Sequence, residues 1–150
     1  MILGGSSQAG TIDPDVPDSK YLSYGSRHKC VAQISGRMPS AGKTAKFRAS
    51  CVIIKPKIVL TAAHVIHGGE DMVITLDKQK SNVISAIRLT QWELKDIGPN
   101  DIALLLLDKP IELDYYPELY KNRDEAGKVC SISGYGVTAV SYTHLTLPTI

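Results

Sequence analysis

Apolar residues along this chain come in short bursts, separated by polar stretches, glycines and prolines. The bursts are strand-length, and few of them keep a helical period. They predict strands over 30–34, 49–54, 58–61, 72–76, 83–89, 102–107 and 128–133. Pro56 breaks the second from the third and predicts a hairpin there. The stretch 36–46 is polar, carries Pro39 and Gly42, and reads as a loop. The leader, over 4–20, is rich in Gly, Ser, Asp and Pro and reads as irregular. Only two places suit a helix: a single turn around 62–66 and a weaker one over 114–120. Many short strands with turn residues between them predict an all-β fold, a sandwich or an antiparallel barrel. No internal repeat is visible.

Composition agrees with a globular domain. The 150 residues are 43% hydrophobic and 21% charged, and a chain of this length can bury roughly 70% of its unfolded surface. The net charge of +2 is small and evenly spread, which argues against nucleic acid as a partner. No apolar run approaches the ~20 residues of a membrane helix, so no membrane partner is expected. The three cysteines, Cys30, Cys51 and Cys130, leave at least one thiol unpaired within the chain. They form no C-x-x-C pair, so a zinc ribbon or thioredoxin motif is not expected. Cys51 lies in an apolar strand and reads as a buried, inert thiol. No signal peptide is visible at the N-terminus.

Chemistry concentrates in two places. The strand Ile58-Val59-Leu60-Thr61 ends in Ala62 and Ala63 and is followed by His64. Two small residues let the backbone turn tightly and place the imidazole at a barrel rim. Further on, Asn100-Asp101 opens the apolar strand Ile102-Ala103-Leu104-Leu105. A carboxylate entering such a strand is costly unless it is hydrogen-bonded, and a histidine N–H is the natural partner. That pair would hold the imidazole in one tautomer and stabilise its protonated form.

These motifs resemble those of the trypsin-like, chymotrypsin-fold serine proteases. Thr61-Ala62-Ala63-His64 matches the family's histidine motif, and Asn100-Asp101-Ile102-Ala103-Leu104 its aspartate motif. Cys130-Ser131-Ile132-Ser133-Gly134-Tyr135-Gly136 is a looser match to the start of the family's second barrel. The resemblance spans about residues 30–137. It implies an antiparallel β-barrel with the start of a second, and an enzyme that hydrolyses peptide bonds through an acyl-serine intermediate. It assigns His64 as general base and then general acid, and Asp101 as the group that orients it. The implied partners are a peptide or protein substrate and the absent C-terminal barrel. The implied location is secreted or exported. No cofactor and no metal is called for.

The sequence departs from the family pattern in several ways. Gly-Asp-Ser-Gly-Gly, which carries the family's nucleophile, is absent, and Ser6, Ser7, Ser26 and Ser133 have the wrong flanks. The chain alone is therefore expected to be inactive. The alternative is a catalytically dead homologue that binds or regulates. A third possibility, an unrelated barrel with coincidental motifs, predicts that His64 and Asp101 lie far apart. Val65 stands where many members have a cysteine, so the disulfide at that place is absent. The family partner of Cys130 would lie in the absent half. Ile2-Leu3-Gly4-Gly5 is similar to an activated protease N-terminus, but its spacing to His64 is longer than usual.

The expected organisation is an irregular leader over 1–22, a first barrel over 23–127, the start of a second over 128–139, and a non-native tail over 140–150. The tail is assigned from its coding: a DNA string beginning GTC TCT TAT ACA, similar to a transposon-based sequencing adapter, encodes residues 140–149 in order. A native strand with a Leu-Pro turn is the alternative. On the adapter reading Ser141 and His144 have no function.

Other residues read as structural. His67 invites a metal reading, but two histidines without further ligands do not make a zinc site, and a solvent-facing residue is expected. Tyr21, Tyr24, Tyr115, Tyr116 and Tyr120 read as packing or loop residues. Lys43, Lys46, Arg48, Lys55 and Lys57 read as a solvated hairpin edge.

Overall fold

Alternation of inward apolar and outward residues lets a strand pair on both edges while burying one face. A computed structural model describes residues 16–40, 42–93, 100–124 and 126–135, with the backbone of 145–146. Its elements are α1 (Asp18–Gly25), β1 (Val31–Ser40), β2 (Lys43–Lys55), β3 (Ile58–Thr61), α2 (Ala63–Ile66), β4 (Glu70–Leu76), β5 (Gln79–Arg88), β6 (Ala103–Leu107), β7 (Ser131–Ile132) and β8 (Leu145–Thr146). The first six strands close an antiparallel barrel in the order β1-β2-β3-β6-β5-β4. The all-β barrel expected from the sequence is the fold found.

The core sits inside the barrel. Ala32, Ile34, Cys51, Ile53, Val59, Ile74, Leu105 and Leu107 fill it, and Ile111 closes one end. In β6 the inward positions are Ala103, Leu105 and Leu107, and the outward ones, Leu104 and Leu106, remain exposed. Cys51 lies in this core, where its thiol donates to the Ala32 carbonyl at 3.4 Å. Burial pushes that thiol up to about 12, so it holds its proton and is a poor nucleophile. Cys30 is also buried and Cys130 is exposed; all three are free thiols. In the native chain a thiol reagent is expected to label Cys130 at once and Cys51 only on unfolding. Mass spectrometry of the labelled peptides checks this, and rapid native labelling of Cys51 would contradict the packing.

Several local expectations need correction. The polar stretch 36–46 is a strand hairpin, not a loop: pairing runs from Val31↔Val52 to Ser40↔Lys43. Pro39 is tolerated because it lies beyond the last pairing with β4, at Arg37↔Glu70, on the two-stranded end. Gly42 makes the turn at φ +77, which favours glycine. Gly36 is required by contact, since a Cβ there would lie 2.8 Å from both the Glu70 carbonyl oxygen and the Phe47 ring. The lysines and arginine of β2 and its turn are exposed, as a solvated edge requires.

The leader expectation over 1–22 overruns a helix, α1. Pro17 is its N-cap and makes no side-chain cap bond, while Asp18 in the first turn complements the helix dipole. The helical turn at 62–66 is found as α2. The one over 114–120 is not: Pro117 disfavours helical backbone at Tyr116, whose hydroxyl donates instead to the Ile111 carbonyl at 2.9 Å. The strand expected over 128–133 shrinks to β7, paired with β8. β8 lies inside the segment assigned to an adapter, and two paired residues suit either origin. Residues 2–5, Ser6, Ser7, Gly136, Ser141 and His144 lie outside the described residues. No helix among the described residues is long and apolar enough to cross a membrane.

Candidate active site

The two motif residues belong to neighbouring strands. β3 pairs with β6 from Ile58↔Leu106 to Thr61↔Ala103. The end of β3 therefore lies beside the start of β6, and the residues just outside that last pair meet at one rim. Thr61 anchors the exit of β3 by donating to the Ser50 carbonyl at 3.0 Å. Ala62 is extended and Ala63 is fully buried, so the one-turn helix α2 seats directly on the barrel end and carries His64. Any larger side chain at Ala63 would lift this turn. On the other strand Asn100 takes a left-handed φ of +64, which asparagine tolerates better than most residues. The Ile102 N–H then bonds the Asn100 carbonyl at 2.8 Å, and this tight turn presents Asp101.

Asp101 holds His64 at two points. Its Oδ2 lies 2.5 Å from the imidazole Nδ1, and its Oδ1 accepts the His64 backbone N–H at 2.8 Å. The carboxylate side chain is 11% exposed and the imidazole 43%. Burial alone would raise the Asp101 carboxyl. The His64 side chain and backbone bonds, the His64 charge and the Ala63 N–H outweigh it and hold the carboxyl below its ordinary value. Asp101 is thus ionised wherever an imidazole is neutral. An ionised partner at Nδ1 keeps the proton there and leaves Nε2 as the basic nitrogen. The arrangement can accept a proton at Nε2 and stabilise the resulting imidazolium.

At the opposite side of the barrel Asp108 performs a structural role that the sequence reading missed. It accepts from the Ser81 hydroxyl at 2.7 Å, the Asn82 backbone N–H at 2.8 Å and the Asn82 amide at 2.9 Å. These bonds hold its carboxyl down to about 2. A carboxyl lowered on folding stabilises above its unfolded value and loses that contribution as pH falls through the folded one. Asp101 and Asp108 therefore predict a urea midpoint that declines below pH ~4. Asp108→Asn should flatten part of that decline while lowering the midpoint at neutral pH. An unchanged acid limb in the variant would contradict the assignment.

His67, three residues past His64, is exposed and faces Arg88 and Trp92. Among the described residues no group of three or more His, Cys, Asp or Glu is placed to hold a metal. Cys130 and Ser131 lead into Gly134 and Tyr135, and the Tyr135 N–H donates to Ser50 Oγ at 2.6 Å. The later residues of the third motif therefore touch the barrel beside the anchor of β3. Tyr24 reaches the same segment, with its hydroxyl 2.6 Å from Ser131 Oγ.

A family model described as Trypsin matches residues 19–149. No curated protein sequence matches the chain. Among solved structures the chain is similar to GrC, at 22% identity and a TM-score of 0.64, over 81% of this chain and 60% of that one. It is similar to HL collagenase at 17% identity and a TM-score of 0.65, over 79% and 56%. It is also similar to neuropsin, a serine protease expressed in the limbic system of mouse brain, at 18% identity and a TM-score of 0.58, over 79% and 57%. The chain thus spans between 56% and 60% of the length of these structures.

Proposed function

The chain belongs to the trypsin family, and on that premise we propose that it is the first-barrel part of a secreted serine endopeptidase. The observation that carries the reading is the two-point contact between His64 and Asp101 at the rim shared by β3 and β6. In the complete enzyme His64 Nε2 takes the proton of a serine hydroxyl as that oxygen attacks the scissile carbonyl. The tetrahedral intermediate collapses when His64 returns the proton to the leaving amine, giving the acyl-enzyme. Water, deprotonated by the same nitrogen, then releases the acid and restores the serine. Asp101 holds the tautomer and stabilises the imidazolium through both halves. The serine, the oxyanion-hole donors and the pocket that selects the substrate side chain belong to the second barrel. On this reading the 150 residues, which carry no Gly-Asp-Ser-Gly-Gly motif, do not hydrolyse peptides without the second barrel.

Reading the source locus past Ala139 tests this. Gly-Asp-Ser-Gly-Gly downstream, with residues 140–150 replaced by other sequence, is the expected result. A second barrel without that serine would make the parent a catalytically inactive homologue instead. Recovery of 140–150 in the genomic DNA would overturn the adapter assignment.

A further inference from the structure

A second polar cluster lies one turn beyond His64. We propose that His67, Arg88 and Trp92 form a subsite for a carboxylate side chain of a bound peptide. That the peptide is a substrate rests on the proteolytic reading above; that the site binds a carboxylate does not.

Arg88 ends β5 and lies against Trp92, its guanidinium carbon 5.5 Å from the ring centre. Its Nη1 is 2.8 Å from His67 Nδ1. Arginine keeps its protons, so it is the donor in this contact and His67 Nδ1 the acceptor. The His67 and Trp92 rings are themselves 5.5 Å apart. Arg88 is thus held between an imidazole nitrogen and an indole face, and among the described residues no carboxylate pairs with it. Arg37 and Lys128, by contrast, pair with Asp71 and Asp124. These residues, with Ala86, Leu89 and Thr90, line a hollow of about 490 Å³, and none of the described lining residues is acidic. Trp92 is 8% exposed, and its buried Nε1 has no hydrogen-bond partner.

The described lining therefore offers an exposed guanidinium and no carboxylate. A carboxylate is acceptor-only and matches a guanidinium fork. One guanidinium suits a monoanion. Ala86, Leu89 and the Trp92 ring offer apolar wall for the methylenes of a glutamate. The hollow is joined to the candidate active site through α2, where the His67 N–H bonds the His64 carbonyl at 3.4 Å.

Trp92 is the one tryptophan in the sequence, so its emission reports this hollow alone. The test titrates the chain, at low salt, with N-acetyl-glutamate amide and, separately, N-acetyl-glutamine amide. A saturable emission change is expected with the glutamate probe, with binding roughly tenfold or more weaker for the glutamine probe and for Arg88→Met or Arg88→Gln. Arg88 is exposed, so both variants keep the core intact. No response, an equal response to both probes, or wild-type binding by the Arg88 variants would overturn the subsite. The readout involves no hydrolysis, so a failed protease assay leaves a positive result standing.

Discussion

His64→Ala in the complete protein is expected to lower kcat for peptide hydrolysis by roughly a million-fold, and Asp101→Asn by roughly ten-thousand-fold; these are sizes known for Ser-His-Asp triads, trypsin's included. The two variants fail for different reasons. Without the imidazole no group takes the serine proton. Asparagine keeps the shape, but its amide donates where the carboxylate accepted. It therefore turns the His64 proton to Nε2, the nitrogen that must be basic. It also removes the charge that stabilises the imidazolium. Asparagine's remaining oxygen can still accept the His64 backbone N–H, so the backbone contact is kept. Steady-state kinetics on a fluorogenic peptide, with circular dichroism as a control for folding, separates these effects. Near-wild-type kcat in either variant would remove the pair from the mechanism.

Leu105→Ala is expected to cost about 2–5 kcal/mol, a large share of the stability of a small domain. Leu105 is fully inside the barrel, on the strand that pairs with both β3 and β5. Truncating it leaves a void that two neighbouring strands prevent from collapsing. Leu104, the next residue, is 40% exposed on the outer face. It lies opposite Leu60 of β3 and Ile87 of β5, with Ile58 and Leu106 paired beside it. Leu104→Thr should change the urea midpoint little, because it removes no core contact and threonine suits a strand. It should also reduce concentration-dependent self-association of the chain, since the outer face of β3, β6 and β5 presents adjoining apolar side chains to water. Equal destabilisation by the two substitutions would contradict the inward and outward assignment. Urea denaturation and light scattering measure both effects.

The contrast in β6 shows what the sequence carries. Residues 102–107 are a continuous apolar run, so a strand was legible there, but its buried face was not, because both faces are apolar. Strand centres were legible for the same reason: β-branched and apolar residues pack the core at Ile53, Val59 and Ile74. Strand ends were not. Residues 36–46 are polar, yet they pair because the ladder hydrogen bonds of a hairpin do not depend on side-chain polarity. Within the candidate site, the positions of His64 and Asp101 followed from a strand exit and a strand entry that the topology makes neighbours. Asn100 was visible as part of a motif, but its left-handed backbone was not. Arg88 and Trp92 gave no local signal, since their meeting with His67 depends on β5 lying two strands away from β3 across β6. The Asp108 clamp on Ser81 and Asn82 was hidden in the same way.

The central claim is that His64 and Asp101 serve a serine supplied by the rest of the protein. Labelling the complete protein with a fluorophosphonate probe tests it most directly, because such probes react with a serine only when a base activates it. The account predicts one labelled serine outside residues 1–139, with labelling lost in His64→Ala. No labelling of folded wild-type protein, or labelling that survives in His64→Ala, would contradict it.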